Sequence, residues 1–361
     1  MPVYLNNNSS TFPKVPSVQA AVSAYLKDTG VVNSTGESNS FTKEASLKIR
    51  DARNGLAKLL SVHSDDIYFA PNVSFARDKI IGELLAAGDR MVVSSGDELA
   101  NSNLINHTSG RGVDIVKIPV DKRYSLKVPQ LLRVNDVKVL AVSHVNSVTG
   151  IRLPIPRIAA HCKEKKTILI CDLSDSIGSM PIDIAELGAD IAFFSTHKHL
   201  FGVGGIAGIY INPSLRGKFK HLDWMDFYST ENILGIVSLA AGVDFVLAEN
   251  PERIKNHIKG LRTVLQGVLE MCRRVEIITP PGSASSSILS FTVNKHMPNT
   301  IAGMLEERFG IVVGHGMFGN PACKSIKLHP EGIIRVGLGF LNTVSDVEYL
   351  GTSVDRITSE K

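Results

Sequence analysis

At 361 residues the chain is longer than one comfortable hydrophobic core, so two lobes are expected, and 43% apolar with 20% charged residues describes an ordinary soluble globular protein. A net charge of +4 without any long Lys/Arg run argues against nucleic-acid binding, and no apolar stretch reaches transmembrane length. The four cysteines, Cys162, Cys171, Cys272 and Cys323, have no CxxC spacing, and no metal-ligand set is assigned. With an opening segment, MPVYLNNNSSTFP, that is polar within six residues, they read as reduced thiols in a cytoplasmic protein.

In chain order, 17–27 has helical spacing, 28–40 is a polar Gly/Ser/Asn loop, and a long helix follows over 42–61. Apolar runs at 66–70, 90–95, 113–120, 137–144, 167–172, 189–196 and 206–211 read as strands. Most are nearly unbroken rather than alternating, which suits strands covered on both faces. Helical segments 74–87 and 154–166 lie between them, and this alternation implies an α/β lobe with a mainly parallel sheet flanked by helices. From about residue 250 the order changes: helix 251–273, strand 286–293, helix 298–309, strand 332–339 and a last helix near 343–358. These describe a smaller α+β lobe. The division expected is an N-terminal arm over 1–14, a large lobe over 15–250 and a small lobe over 251–361.

Ligands of an open α/β sheet sit at the carboxyl ends of its strands. That rule selects Asp172, which ends TILICD, the segment 195–198 after ADIAFFST, and the loops at 71–75, 97–101 and 144–150. The run GVGGIAG (202–208) mimics a dinucleotide fingerprint, but a strand rather than a helix follows it, so a nicotinamide site is not expected.

The segment CDLSDSIGSMPIDIAELGADIAFFSTHKHLFGVGGIAGIYI (171–211) resembles the class V aminotransferase and cysteine desulfurase family: an aspartate ending one strand, then Ser-x-His-Lys ending the next, then glycines. The resemblance runs through VYLNNNSSTFPKVP, ARNGLAKLL, FAPNVSFA, VSHVNSVTG, STENI and IIRVGLGFLNT, which follow the family's order and spacing across nearly the whole chain. It implies a pyridoxal 5′-phosphate (PLP) enzyme of fold type I. On that resemblance Lys198 is the Schiff-base lysine and Asp172 holds the pyridine nitrogen protonated, so that the ring can absorb electrons. Asn72, Val73 and Ser74 at a helix N-terminus, with Ser195 and His197, are the expected phosphate ligands. Thr230 would reach the phosphate of a neighbouring subunit, which implies a homodimer with shared active sites. Arg335 would take a substrate α-carboxylate through two parallel hydrogen bonds. Asn7 and His315, with Met317 and Phe318, are expected at the entrance.

Four positions depart from the family pattern. Leu99 stands where a ring-stacking histidine is expected, and leucine can cover a ring but cannot shuttle a proton. Asp175 replaces a glutamine near the cofactor's phenolic oxygen, so it should be protonated or point away. Ser147 replaces an asparagine, which a one-residue shift to Asn146 could supply. Gly319 falls at or near the mobile-loop cysteine of desulfurases, and Cys323 lies four residues further on. Transamination of an amino acid demands none of the missing groups, so a class V-type aminotransferase is the leading expectation. A desulfurase-like carbon–sulfur lyase, a β-eliminase or an epimerase are the alternatives within the same chemistry. A PLP-fold binding protein without efficient catalysis is the alternative outside it.

Overall fold

The computed structural model describes residues 2–29, 39–97, 102–120, 126–219, 232–279, 286–316 and 332–359. A short strand, β1 (Val3–Leu5), precedes helices α1 (Pro16–Asp28) and α2 (Ser40–Leu60). Asn39 starts α2 by accepting the N–H groups of Phe41 and Thr42, while Thr42 Oγ1 accepts the Asn39 N–H, a reciprocal cap that satisfies donors the helix cannot.

Strands and helices then alternate: β2 (Ile67–Ala70), α3 (Val73–Leu84), β3 (Arg90–Ser94), α4 (Asn103–Gly110), β4 (Asp114–Ile118), α5 (Val128–Leu131), β5 (Val139–Ser143), α6 (Ile155–Lys165), β6 (Ile168–Asp172), α7 (Ile184–Leu187), β7 (Ile191–Ser195) and β8 (Ala207–Ile211). The remainder comprises α8 (Ile233–Glu249), α9 (Pro251–Met271), β9 (Val275–Ile277), β10 (Ile288–Val293), α10 (Pro298–Phe309), β11 (Ile311–Gly316), β12 (Ile333–Gly337) and α11 (Val344–Ser359).

Seven strands form the main sheet in the order β2-β8-β7-β6-β5-β3-β4. The run from β7 to β4 is parallel, and β8 is antiparallel to both of its neighbours. Its strands are unbroken apolar runs because successive residues enter different cores. Leu140, Leu169 and Phe194 join a cluster shared with α1, α2, α6 and α8, whereas Val139, Ile170 and Phe193 join one shared with α3 and α4. The second sheet has the order β1-β11-β12-β10-β9, with β1 parallel to β11 and the other pairs antiparallel. Helices α9, α10 and α11 cover it with Leu261, Leu265, Leu305 and Leu350, continuous with the first cluster.

Among the elements that the sequence reading did not assign are α8, β11 and β1. The stretch 233–249 is helix α8, whose ILGIVSLAAGVDFVLAE carries only Asp244 and Glu249 as charges and packs against α1, α2 and α9. A helix enclosed on most sides shows no apolar stripe for a periodicity reading to find. Residues 311–316, which include His315 expected at the entrance, form β11, and 3–5 of the arm form β1. Both are short, and the pairing of one with the other, Val3 opposite Ile311, stabilises them.

Helix α8 lies directly behind the chain that follows β7. A Cβ built on Gly242 would sit 1.9 Å from the Leu200 carbonyl oxygen, a contact that only glycine permits. Gly242→Val is therefore expected to destabilise the fold by roughly 2–3 kcal/mol through overpacking and to displace the loop bearing Lys198. Denaturant unfolding checks this, and an unchanged midpoint refutes it. Among the described residues no single helix is long and apolar enough to cross a membrane; α8 and α9 pass such a test together but meet at an 80° bend.

Candidate active site

The carboxyl ends of β5, β6 and β7 and the first turn of α3 converge on a cleft of about 310 Å³. Ligand sites in general span about 300–1,000 Å³. Asn72, Val73, Ser74, Ser147, Asp172, Asp175, Ser195, His197 and Lys198, all selected from sequence, line it, as do Arg77 and Ser174, which were not.

Asn72 is the N-cap of α3: its Oδ1 accepts the Phe75 N–H at 2.8 Å and its carbonyl accepts that of Ala76 at 3.1 Å. Its side chain thus serves the helix. The N–H groups of Val73 and Ser74, which have no intrahelical acceptor, face the position where an anion is favoured. Asp172 ends β6 and accepts the Ser174 N–H on Oδ1 at 2.9 Å, while its Oδ2 lies 3.8 Å from Arg77 Nη1. On β7, one register over, Ser195 donates its Oγ proton to Ser174 Oγ at 3.2 Å, and the Ser195 N–H reaches the same oxygen at 3.0 Å.

Lys198 follows β7 with its Nζ 2.8 Å from Asp175 Oδ1. Asp175 is only 6% exposed, and burial alone would raise its carboxyl. The Lys198 charge, the Asn8 and Lys198 hydrogen bonds and the Arg335 charge outweigh burial and hold it below the usual carboxylate range. The expectation that Asp175 is protonated or turned away is thereby corrected: it is an ionised partner of Lys198. Asn8 Nδ2 donates to the same oxygen at 3.0 Å, and buried His199 places Nε2 3.1 Å from Ser287 Oγ and 3.4 Å from Asn8 Nδ2. Burial lowers His199 to about 4, so it stands as a neutral ring in this network. His197 is likewise lowered, by burial and then by the charges of Lys198 and Lys14.

The N-terminal arm fastens this loop. The Thr11 N–H, Ser10 Oγ and Lys14 Nζ all donate to the His197 carbonyl, at 3.0, 3.4 and 3.1 Å, and Thr11 Oγ1 donates to that of Lys198. Asn7 is placed otherwise than expected. Its amide donates to the Gly337 carbonyl at 2.9 Å and to Asn342 Oδ1 at 3.0 Å, so it ties the arm to the small sheet, and the neighbouring Asn8 reaches the site. His315 lies exposed on β11, away from the cleft lining.

Arg335 on β12 is buried and donates Nη1 to the carbonyl of Ser147, a residue of the cleft lining, at 2.8 Å. Ser147 lines the cleft together with Val145 of the same loop. Asn146, the shifted alternative, is committed instead: Nδ2 donates to the Gly96 carbonyl at 2.7 Å, and Oδ1 accepts the Val148 and Thr149 N–H groups. Leu99, Thr230, Met317, Phe318, Gly319 and Cys323 lie outside the described residues.

Asp97, just beyond β3, accepts the Ser143 N–H on Oδ2 at 2.9 Å. Burial, with Asp172's charge adding, pushes its carboxyl up to about 7 against that hydrogen bond. A raised carboxyl stabilises the fold fully below its unfolded value, and that contribution is lost as pH rises through the folded value. Asp97→Asn keeps an acceptor without titrating. Its unfolding free energy, relative to wild type, should climb by roughly 3–4 kcal/mol between pH 4 and 7. A difference that stays flat across that window excludes the assignment.

The donor set suits a phosphorylated ring carrying a basic nitrogen: open helix N–H groups and serine hydroxyls for an anion, Asp172 for the nitrogen, and an amine for a carbonyl. Buried Arg77 Nε has no hydrogen-bond partner among the described residues, a further donor in the same wall.

A model of the aminotransferase class-V family matches residues 3–350. A probable cysteine desulfurase of Methanothermobacter thermautotrophicus is 26% identical over 380 residues, covering 98% of this chain and 94% of that protein. Another from Pyrococcus abyssi is 24% identical over 387 residues, covering 99% and 94%. Among solved structures, the apo form of a cysteine desulfurase from Thermococcus onnurineus superposes with a TM-score of 0.91 at 20% identity, covering 99% of this chain and 94% of that one. At that identity the superposition shows a shared fold.

Proposed function

This chain belongs to the aminotransferase class-V family, whose members use pyridoxal 5′-phosphate, and on that footing we propose that it is a PLP-dependent enzyme cleaving the carbon–sulfur bond of cysteine or a cysteine-like amino acid. The observation that carries the reading is Lys198 and Asp172 at the ends of neighbouring parallel strands, over a cleft that also holds the first turn of α3. The relatives' names support sulfur chemistry over the transamination expected from sequence, since Lys198 and Asp172 serve either reaction.

Bound PLP supplies an electron sink conjugated to the substrate's α-carbon. Lys198 would hold it covalently, Asp172 its ring nitrogen, and the N–H groups of Val73 and Ser74 with Ser195 and His197 its phosphate. Lys198 Nζ is the group that moves the proton at substrate Cα, and Asp175, at 2.8 Å, orients that amine and balances its charge. Asn8, fixed through Ser287 and His199, orients Asp175 in turn. Arg335, steadied by the Ser147 carbonyl, is the cation for the substrate carboxylate. The arm residues Thr11 and Lys14 hold the loop in place through the carbonyls of Lys198 and His197. A dimer with shared sites is part of the reading, through Thr230.

Burial raises the thiols of Cys162 (to about 12), Cys171 and Cys272, so none of the three is suited to act as a thiolate that accepts sulfur. Cys323 is the fourth cysteine of the sequence and the one to substitute when a thiol requirement is tested.

Product analysis with added PLP, L-cysteine and a thiol reductant tests the function. Alanine with sulfide supports the proposal. Pyruvate with ammonia and sulfide places the protein among β-eliminases, and an oxo acid formed only with an amino acceptor makes it an aminotransferase. No product from any amino acid, with no cofactor absorbance, leaves the binding-protein alternative.

A further inference from the structure

Arg77 is the charged group in the cleft wall for which the reading above has no use. It sits one turn into α3 and is 6% exposed. A guanidinium carries five N–H donors in a planar fork. Here Nη2 donates to Ser74 Oγ at 3.3 Å, Nη1 stands 3.8 Å from Asp172 Oδ2, too far for a hydrogen bond, and Nε is buried with no partner among the described residues. The other cations near the cleft are engaged: Lys198 with Asp175 at 2.8 Å and Arg335 with the Ser147 carbonyl at 2.8 Å.

A buried charge with most of its donors unused is costly unless a ligand completes it. The same wall carries the open N–H groups of Val73 and Ser74 at the start of a twelve-residue helix, where an anion gains from the helix terminus. Ser74 belongs to both features, because its Oγ accepts from Arg77 while its N–H opens the helix. An anion with several oxygens, a phosphate monoester rather than a single carboxylate, is the ligand that could use the guanidinium fork and the helix N–H groups together.

We propose that Arg77 is a phosphate-recognising residue that gives this cleft its preference for the phosphorylated form of the cofactor, while its approach to Asp172 couples the phosphate end of the site to the ring-nitrogen end. The inference rests on the proposed function for the ligand's identity, but the anion site itself does not depend on it.

Binding, not turnover, is the readout. In a Lys198→Ala background, which removes covalent capture, dissociation constants for PLP and for unphosphorylated pyridoxal are measured with Arg77 intact, Arg77→Lys and Arg77→Gln. Arg77→Gln is expected to weaken PLP about 10- to 100-fold, in line with a charge-assisted hydrogen bond, and to change pyridoxal by less than about twofold. Arg77→Lys should fall between, and its far-ultraviolet dichroism reports whether the helix is intact. Equal weakening of both ligands would mean that Arg77 acts only by propping Asp172, and would overturn the proposal; so would no change in either. If the chain with Arg77 intact binds neither compound, the functional reading fails, and inorganic phosphate alone decides the site. Stabilisation of the fold by phosphate that disappears in Arg77→Gln supports an anion site, and equal stabilisation of both proteins, or of neither, rejects it.

Discussion

On the proposed function, Lys198→Ala is expected to lower product formation from cysteine by at least about 10⁴-fold, because it would remove both the covalent attachment and the base at Cα. Lys198 is the one amine among the described residues lining the cleft, so none of them can take over. The substitution also leaves Asp175 ionised and buried with only Asn8 and the charge of Arg335 for compensation. Breaking such a buried pair costs about 3–5 kcal/mol, which confounds chemistry with folding. Lys198→Arg separates the two, since arginine keeps the positive charge beside Asp175 yet cannot form the covalent link. Both variants should be inactive, and the arginine variant should unfold closer to wild type. Borohydride reduction followed by peptide mass analysis should label wild-type Lys198 and neither variant. Activity within tenfold of wild type in either variant, or label on another lysine, removes Lys198 from its role.

Asp172→Asn is expected to carry the second-largest loss, roughly 10- to 150-fold, which is the rate equivalent of one charge-assisted hydrogen bond of about 1.5–3 kcal/mol. Asparagine keeps the shape and an oxygen for the Ser174 N–H, so the turn after β6 should survive. What disappears is the negative charge that in the proposed role would favour a protonated ring nitrogen and that faces Arg77 at 3.8 Å. Arg77 then loses the carboxylate it faces at 3.8 Å, so the anion preference of the cleft should tighten while turnover falls. Turnover with an unaltered absorption spectrum and an unaltered rate would exclude Asp172 as the ring-nitrogen partner. The opposing effects on phosphate affinity and on rate distinguish this outcome from simple loss of structure, which lowers both.

Much of the site was legible because strand ends are legible. An unbroken apolar run states that a strand is covered on both faces, and the first polar residue after it states where the strand leaves the core. Asp172 and the 195–198 segment were read this way. Ser74 was read from the turn preceding a helical segment. What was not legible shares one feature: its role is set by a partner distant in the chain. Asn8 and Asn7 are adjacent and identical in type, yet one reaches Asp175 and the other Gly337 and Asn342. Arg77 lies three residues beyond Ser74 in SFARDKII, a spacing that places it on the same helical face, but only its buried Nε, without a hydrogen-bond partner among the described residues, marks it as unusual. His199, beside Lys198, could be seen but not assigned, because Ser287 lies 88 residues on, just before β10 of the other sheet.

By itself the sequence determined the strand–helix alternation, the change of pattern after residue 250, and the two strand ends at which Asp172 and the 195–198 segment stand, because each rests on spacing within one segment. Only the tertiary structure decided the charge state of Asp175. A carboxylate in that place is repelled or retained according to what stands 2.8 Å away, and Lys198 stands there. The tertiary structure likewise made 311–316 a strand and 233–249 a helix, since hydrogen-bond partners and enclosure, not local pattern, stabilise them. Local sequence sets what a residue is able to do; the dielectric and the partners around it, which form only when distant segments pack, select which of those things it does.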